Sequence, residues 1–240
     1  MPSIHGLPIP TSLAEACVPS RMALLIYDMQ VGICRQVSCG PSITAASGRI
    51  RDRCRAAGVP VAYSRHLSLP THWMGAFQTR MAMTWQRTDD PAAVKPWFLR
   101  DTPGFEVVPD LSPGDDEFVF DKLAMSAFEG TPLQFALRDR GITTLAICGI
   151  ALEIGIEPTV RHAVDLGIVP IVIADACGAG HGEAGQARGN IHDAAAIIQE
   201  RQQFLRQEQH ALEVDVIERI HLRFGDRREA CTGGNAGIVD

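Results

Sequence analysis

The sequence has little positive charge to spare. Lys and Arg total 22 against 28 Asp and Glu, a formal net charge of -6 with a pI near 5.7. A nucleic-acid partner is not expected of so acidic a chain, because the phosphate backbone calls for a basic surface. Long hydrophobic runs are missing too: none reaches the ~18 residues of a membrane span, so no membrane partner is expected. Met1 to Pro10 has three prolines and no basic stretch, unlike a secretory signal. The cysteines number 7, scattered and without a Cys-x-x-Cys pair. Reduced thiols and a cytoplasmic location are expected, not a disulfide framework. Repeats and low-complexity tracts are absent.

What is present is an ordinary globular composition, 46% hydrophobic and 21% charged over 240 residues. The reading is one domain over 1–240, with an N-terminal extension over 1–20. Ala23 to Tyr27 is a continuous apolar run ending at Asp28, which suits a central parallel strand buried on both faces. Pro41 to Ala57 reads as a helix closed by Gly58. Val59 to Ser64 is a second strand, and Glu117 to Phe120 a third, ending at Asp121 and Lys122. Thr131 and Pro132 open a helix as cap and first-turn residue, and Gly141 closes it. Thr144 to Ile150 is a fourth strand. A helix follows over Ile156 to Leu166, with Pro158 in its first turn and Gly167 at its end. Val169 to Ala174 is a fifth strand ending at Asp175. Strand, helix, strand with short turns predicts an α/β fold, a three-layer parallel sheet with helices on both faces.

Two stretches break the rhythm. Residues 67–113 form an excursion too long for a simple connection, with Trp73, Trp85 and Trp97, and read as a lid or an oligomer contact. Glu183 to Gln209 reads as a polar helix, Ala211 to Ile217 as a last strand, and 227–240 as a loose tail.

Ligands of an open parallel sheet bind beyond the strands' carboxyl ends. Asp28, Lys122 and the turn from Ile150 to Gly155 all fall there. An acid–base pair and a structural ion pair are both open readings of Asp28 and Lys122. The turn feeds a helix N-terminus, whose amides can hold an oxyanion or a carboxylate. The excursion offers substrate contacts at His66, Phe77, Gln78, Trp85 and Arg87; Arg65 leaves the second strand beside His66. Arginines can clamp a carboxylate, and aromatic walls can flank an apolar body. Met81, Met83 and Trp85 read equally well as subunit packing.

The segments Leu24 to Gln30, then Lys122, Gly149 to Ala151, Arg161 to Gly167 and Ala174 to Cys177 resemble the isochorismatase-like (cysteine hydrolase) family. They stand in family order over roughly Met22 to Gly178. The resemblance implies a Rossmann-like sheet, a catalytic Asp28 and Lys122, a cis peptide at Ile150–Ala151 and a homo-oligomer, dimer or tetramer. Amidases of that family carry a nucleophilic Cys where this chain has Gly155, and Thr and Asp at the positions of Leu152 and Glu153. Without a thiolate no thioester can form there. Isochorismatases resemble this chain in having Gly at that position; they protonate an enol-ether carbon and let water attack the oxocarbenium ion. They also carry a Tyr and a His at the positions of Ala151 and Glu153, so the resemblance does not extend to isochorismate as substrate. Ile150, Ala151, Glu153 and Ile154 become candidate substrate contacts, with Glu153 aimed at Asp28 and Lys122. Arg161 reads as one half of a structural ion pair.

Cys148 and Cys177 read as packing residues, whereas Cys34, on the loop after Asp28, is a candidate displaced nucleophile for a cysteine amidase. Nicotinamidase-type relatives hold a metal with an Asp and paired His residues. His66 and His72 lack that spacing, and neither metal nor cofactor is expected. The sequence thus points to a hydrolase acting on a small, carboxylate-bearing molecule, at a vinyl-ether or C–N bond. A non-catalytic binding or structural member of the fold is the alternative.

Overall fold

A computed structural model describes residues 2–180. The expected C-terminal helix, last strand and tail lie outside them. Five parallel strands form the sheet: β1 (Met22–Tyr27), β2 (Val61–His66), β3 (Phe118–Lys122), β4 (Thr144–Ile150) and β5 (Val169–Gly178). Their spatial order is β3-β2-β1-β4-β5. The chain winds outward from β1 through β2 to β3, then returns to β4 on the other side of β1, so the order reverses beside β1.

The continuous apolar runs are buried on both faces. In β1, Met22, Leu24 and Ile26 enter one core, and Ala23, Leu25 and Tyr27 the other. β4 divides likewise, Ala146, Cys148 and Ile150 against Leu145 and Ile147. The first core is covered by α1 (Gly40–Ala56), which buries Ile43, Ala46, Ser47, Ile50 and Cys54 at helical spacing. The second is covered by α3 (Leu133–Asp139) and α4 (Glu157–Asp165). The excursion contains α2 (Ala76–Gln86), none of whose residues is fully buried. A two-residue hairpin and one helical turn, Leu13–Ala16, occupy the N-terminal stretch.

The structure moves several element ends. β2 starts at Val61, after Pro60, and runs on to His66. β3 includes Lys122, which stands in register with His66. The α3 helix starts at Leu133, whose amide donates to the Thr131 hydroxyl at 3.3 Å, so the capping residue stands one position further out than expected. Leu152–Ile156 forms a wide π-turn, which delays α4 to Glu157. β5 continues past Asp175 through a register shift opposite Ile147 and Gly149. Among the described residues no helix is long and apolar enough to cross a membrane.

Candidate active site

The carboxyl ends of β1, β2 and β3 converge on one buried ion pair. The apolar run of β1 stops at Asp28, which takes a left-handed φ of 48° and turns the chain out of the sheet. Its amide points back to Ser64, donating to the carbonyl and the hydroxyl, both at 3.2 Å. The Ser64 hydroxyl donates to Asp28 Oδ1 at 2.6 Å, and Asp28 Oδ2 lies 2.8 Å from Lys122 Nζ. Asp28 is 4% exposed and Lys122 3%. Lys122 Nζ also donates to the Ala124 carbonyl at 3.2 Å and stands 4.4 Å from the centre of the Tyr27 ring. The three N–H donors of the ammonium thus meet a carboxylate, a carbonyl and an aromatic face.

Gln30 fixes the neighbouring backbone. Its amide nitrogen donates to the carbonyls of His66, at 3.1 Å, and Phe105, at 2.9 Å. Its Oε1 accepts the His66 amide at 2.7 Å. One side chain therefore ties the end of β2 and the excursion to the end of β1. The His66 ring lies edge-on to Trp85 and Phe98. Burial, and then the Lys122 charge, push His66 down to about 4, with Asp28 opposing.

That depression makes stability depend on pH. The unfolded imidazole takes a proton near 6.5 and the folded one only near 4. The unfolded state therefore binds more protons in this window, and stability falls as pH drops from about 6.5 to 4. The full shift corresponds to about 3 kcal/mol. In His66→Phe, denaturant midpoints followed across this range are expected to lose that part of the slope; an unchanged slope would place the effect elsewhere.

His66, Gln78, Met81, Trp85, Trp97 and Phe98 line a cavity of about 20 Å³, room for one water. Gln78 Oε1 is buried there without a partner among the described residues. A larger cleft of about 540 Å³ lies at the opposite ends of the strands, lined by Ala23, Val61, Phe118 and Arg140. It is remote from the ion pair, on the side of the sheet where such folds do not bind their substrates.

Other expected contacts fall elsewhere. Phe77 is 76% exposed, and Arg87 is an exposed left-handed cap ending α2. Neither lines the cavity beside His66, to which α2 contributes Gln78, Met81 and Trp85. Arg65 is held by Asp121 at 2.8 Å and covers the Phe105 ring, so its own guanidinium is already engaged. The Ile150 and Ala151 side chains are buried in the first core and Ile154 packs against it. The Ile150–Ala151 peptide is cis. Glu153 Oε1 accepts the Gly180 amide at 2.8 Å, tying the turn to the chain leaving β5. Arg161 pairs with Glu157 on the surface of α4. Burial pushes the Cys34 thiol up to about 11, and Cys148 and Cys177 to about 12. All three remain thiols at neutral pH, poor nucleophiles.

Three residues escaped the sequence reading: Ser64, Gln30 as a brace, and Tyr27. Ser64 had a legible signal, a polar residue at the carboxyl end of a buried apolar strand.

Comparison with known proteins agrees with this architecture. The model of the isochorismatase domain matches residues 22–203. The isochorismatase family protein YecD of Escherichia coli O157:H7 is 31% identical over 169 residues, 67% of this chain and 81% of its own. Phenazine biosynthesis protein PhzD1 of Pseudomonas aeruginosa is 28% identical over 73% of this chain and 84% of its own. The crystal structure of a cysteine hydrolase from Pseudomonas syringae pv. phaseolicola superposes with a TM-score of 0.64 at 26% identity, covering 87% of this chain and 96% of that one.

Proposed function

Since the chain belongs to the isochorismatase family, we propose that it is a hydrolase of small, carboxylate-bearing molecules that works by acid–base chemistry on Asp28 and Lys122, with no covalent intermediate at position 155. The observation that carries this reading is the buried contact between Asp28 Oδ2 and Lys122 Nζ, 2.8 Å, at the carboxyl ends of the strands. Removing two charges from water costs several kcal/mol apiece, and an apolar pair of the same volume is often as stable or more so. A pair kept there despite that cost is suited to chemistry.

What the site offers favours one bond class. Gly155 supplies no nucleophile, and the nearby thiols are protonated. An enol ether needs neither. In this reading Asp28 acts in its protonated form, delivers that proton to the enol-ether carbon and is left as the carboxylate, while the C–O bond gains oxocarbenium character. Water adds to the cation and returns a proton to the Asp28 carboxylate, and the hemiketal collapses to a ketone and an alcohol. Lys122 holds the Asp28 carboxylate and balances its charge after proton transfer. The crevice is small, and the excursion side chains around His66, Gln78 and Trp85 would form the wall against the substrate body.

Turnover in oxygen-18 water, followed by mass spectrometry, tests this on isochorismate, other enol ethers, and small amides and ureides. Labelled product is expected from an enol ether, reduced roughly 100- to 10,000-fold in Asp28→Asn, the range of a general acid or base. Equal turnover in both proteins would remove Asp28 from the mechanism. Ligand bound without any product would make the chain a binding member of the fold.

A further inference from the structure

Gly155 has no side chain, yet the space beside its Cα is filled. A Cβ built there would meet the Tyr27 hydroxyl at 1.8 Å, Cζ at 2.4 Å and Cε1 at 2.7 Å. We propose that Tyr27 and Gly155 form one steric unit, in which the phenol takes the seat of a side chain at 155 and serves as the positioning residue of the Asp28–Lys122 pair. The steric half stands by itself, and the positioning half rests on the hydrolytic reading above.

Tyr27 is fixed at both ends. Its backbone lies in β1 in register with Gly149 and Ser64. Its hydroxyl donates to the Met125 carbonyl at 2.5 Å. The loop after Lys122 is held further along as well: the Ala127 amide donates to the Thr159 hydroxyl at 2.9 Å, which donates to the Gly155 carbonyl at 2.7 Å. The contacts close a ring: Tyr27 to the loop, the loop to Thr159, Thr159 to Gly155, and Gly155 against Tyr27. Lys122 enters this ring from β3, with its ammonium over the phenol face and bonded to Ala124 in the same loop. Burial, and then the Asp28 charge, raise the phenol well above its ordinary range. It therefore stays an O–H donor toward Met125 at any pH the protein meets.

Two consequences follow. The ammonium loses one of its three partners if the ring goes, and its direction toward Asp28 is then no longer fixed. A side chain at 155 requires a smaller residue at 27, so restoring a nucleophile there takes two changes together.

The chain has only two lysines, Lys95 and Lys122. Protein labelled with carbon-13 at lysine Cε therefore gives two signals, assigned by Lys122→Met. The Lys122 methylene protons are expected to be shifted upfield by the ring current of Tyr27. Tyr27→Phe should keep that shift and Tyr27→Leu should lose it; an unchanged signal in folded Tyr27→Leu would overturn the positioning role. For the steric unit, Gly155→Cys is expected to melt well below wild type. Tyr27→Val with Gly155→Cys is expected to melt above that single variant and to be alkylated at position 155 by iodoacetamide. Wild-type stability of Gly155→Cys alone would overturn it. Neither readout needs a substrate, so a failed turnover screen would remove the hydrolytic reading and leave both results standing.

Discussion

Asp28→Asn is expected to lose about 3–5 kcal/mol of stability along with its turnover, and Asp28→Asn combined with Lys122→Met to regain most of the stability but none of the turnover. The single change removes the charge 2.8 Å from Lys122 Nζ while leaving the ammonium 3% exposed. A carbonyl and a ring face remain to it, and neither neutralises it. An uncompensated buried charge carries a penalty of that size. Methionine nearly matches the length of the lysine stem and removes the charge, so the double variant exchanges an ion pair for neutral packing. A double-mutant cycle from urea denaturation measures the coupling, and more than about 2 kcal/mol is expected. Additive losses would mean that the two groups do not hold each other. The stable, inactive double variant would also show that turnover depends on the charges and not on the integrity of the fold.

The geometry around that pair explains which parts of the site were legible in the sequence. Asp28 and Lys122 end apolar runs, and a parallel sheet brings such ends together whatever lies between them. The strands followed from the same runs: Thr144–Ile150 is buried at every residue, and its sequence reads that way. The Tyr27–Gly155 contact could not be read, because it joins residues 128 positions apart and depends on the angle at which the π-turn delivers Gly155 onto β1. Gln30 was visible only as a polar residue after a strand; its value lies in three backbone groups, two from His66 and one from Phe105, that no local pattern announces. The excursion was legible by residue type but not by orientation. Phe77 and Arg87 suit a ligand pocket by type, but α2 buries none of its residues fully, and helical spacing alone does not say which face turns inward.

Glycines sharpen the same distinction, and Gly149→Ala is expected to be among the most damaging single changes in the chain. Gly149 has a φ of +126°, and a Cβ there would lie 2.1 Å from the Tyr27 carbonyl oxygen and 2.9 Å from the Tyr27 backbone nitrogen and carbon. Those atoms belong to the central strand, held by β2 on one side and β4 on the other, so they cannot give way cheaply. Gly141 is the control. It too has a positive φ, +71°, but a Cβ there meets nothing within 4 Å. Alanine at 141 carries only the left-handed backbone cost, about 1–2 kcal/mol. Alanine at 149 adds a collision with the sheet, and a loss above about 4 kcal/mol is expected. In a chain of this size 1 kcal/mol moves the melting temperature by roughly 2–4 °C. Thermal unfolding should therefore show a fall of roughly 10 °C or more for Gly149→Ala and of a few degrees for Gly141→Ala. Equal shifts would mean that backbone conformation alone sets the requirement at 149. Unequal shifts would show that the close approach of β4 to Tyr27 is what demands glycine there. That approach also fixes where β4 hands over to the turn that carries Gly155 onto Tyr27, so the glycine that lets the sheet close is part of how the site is built.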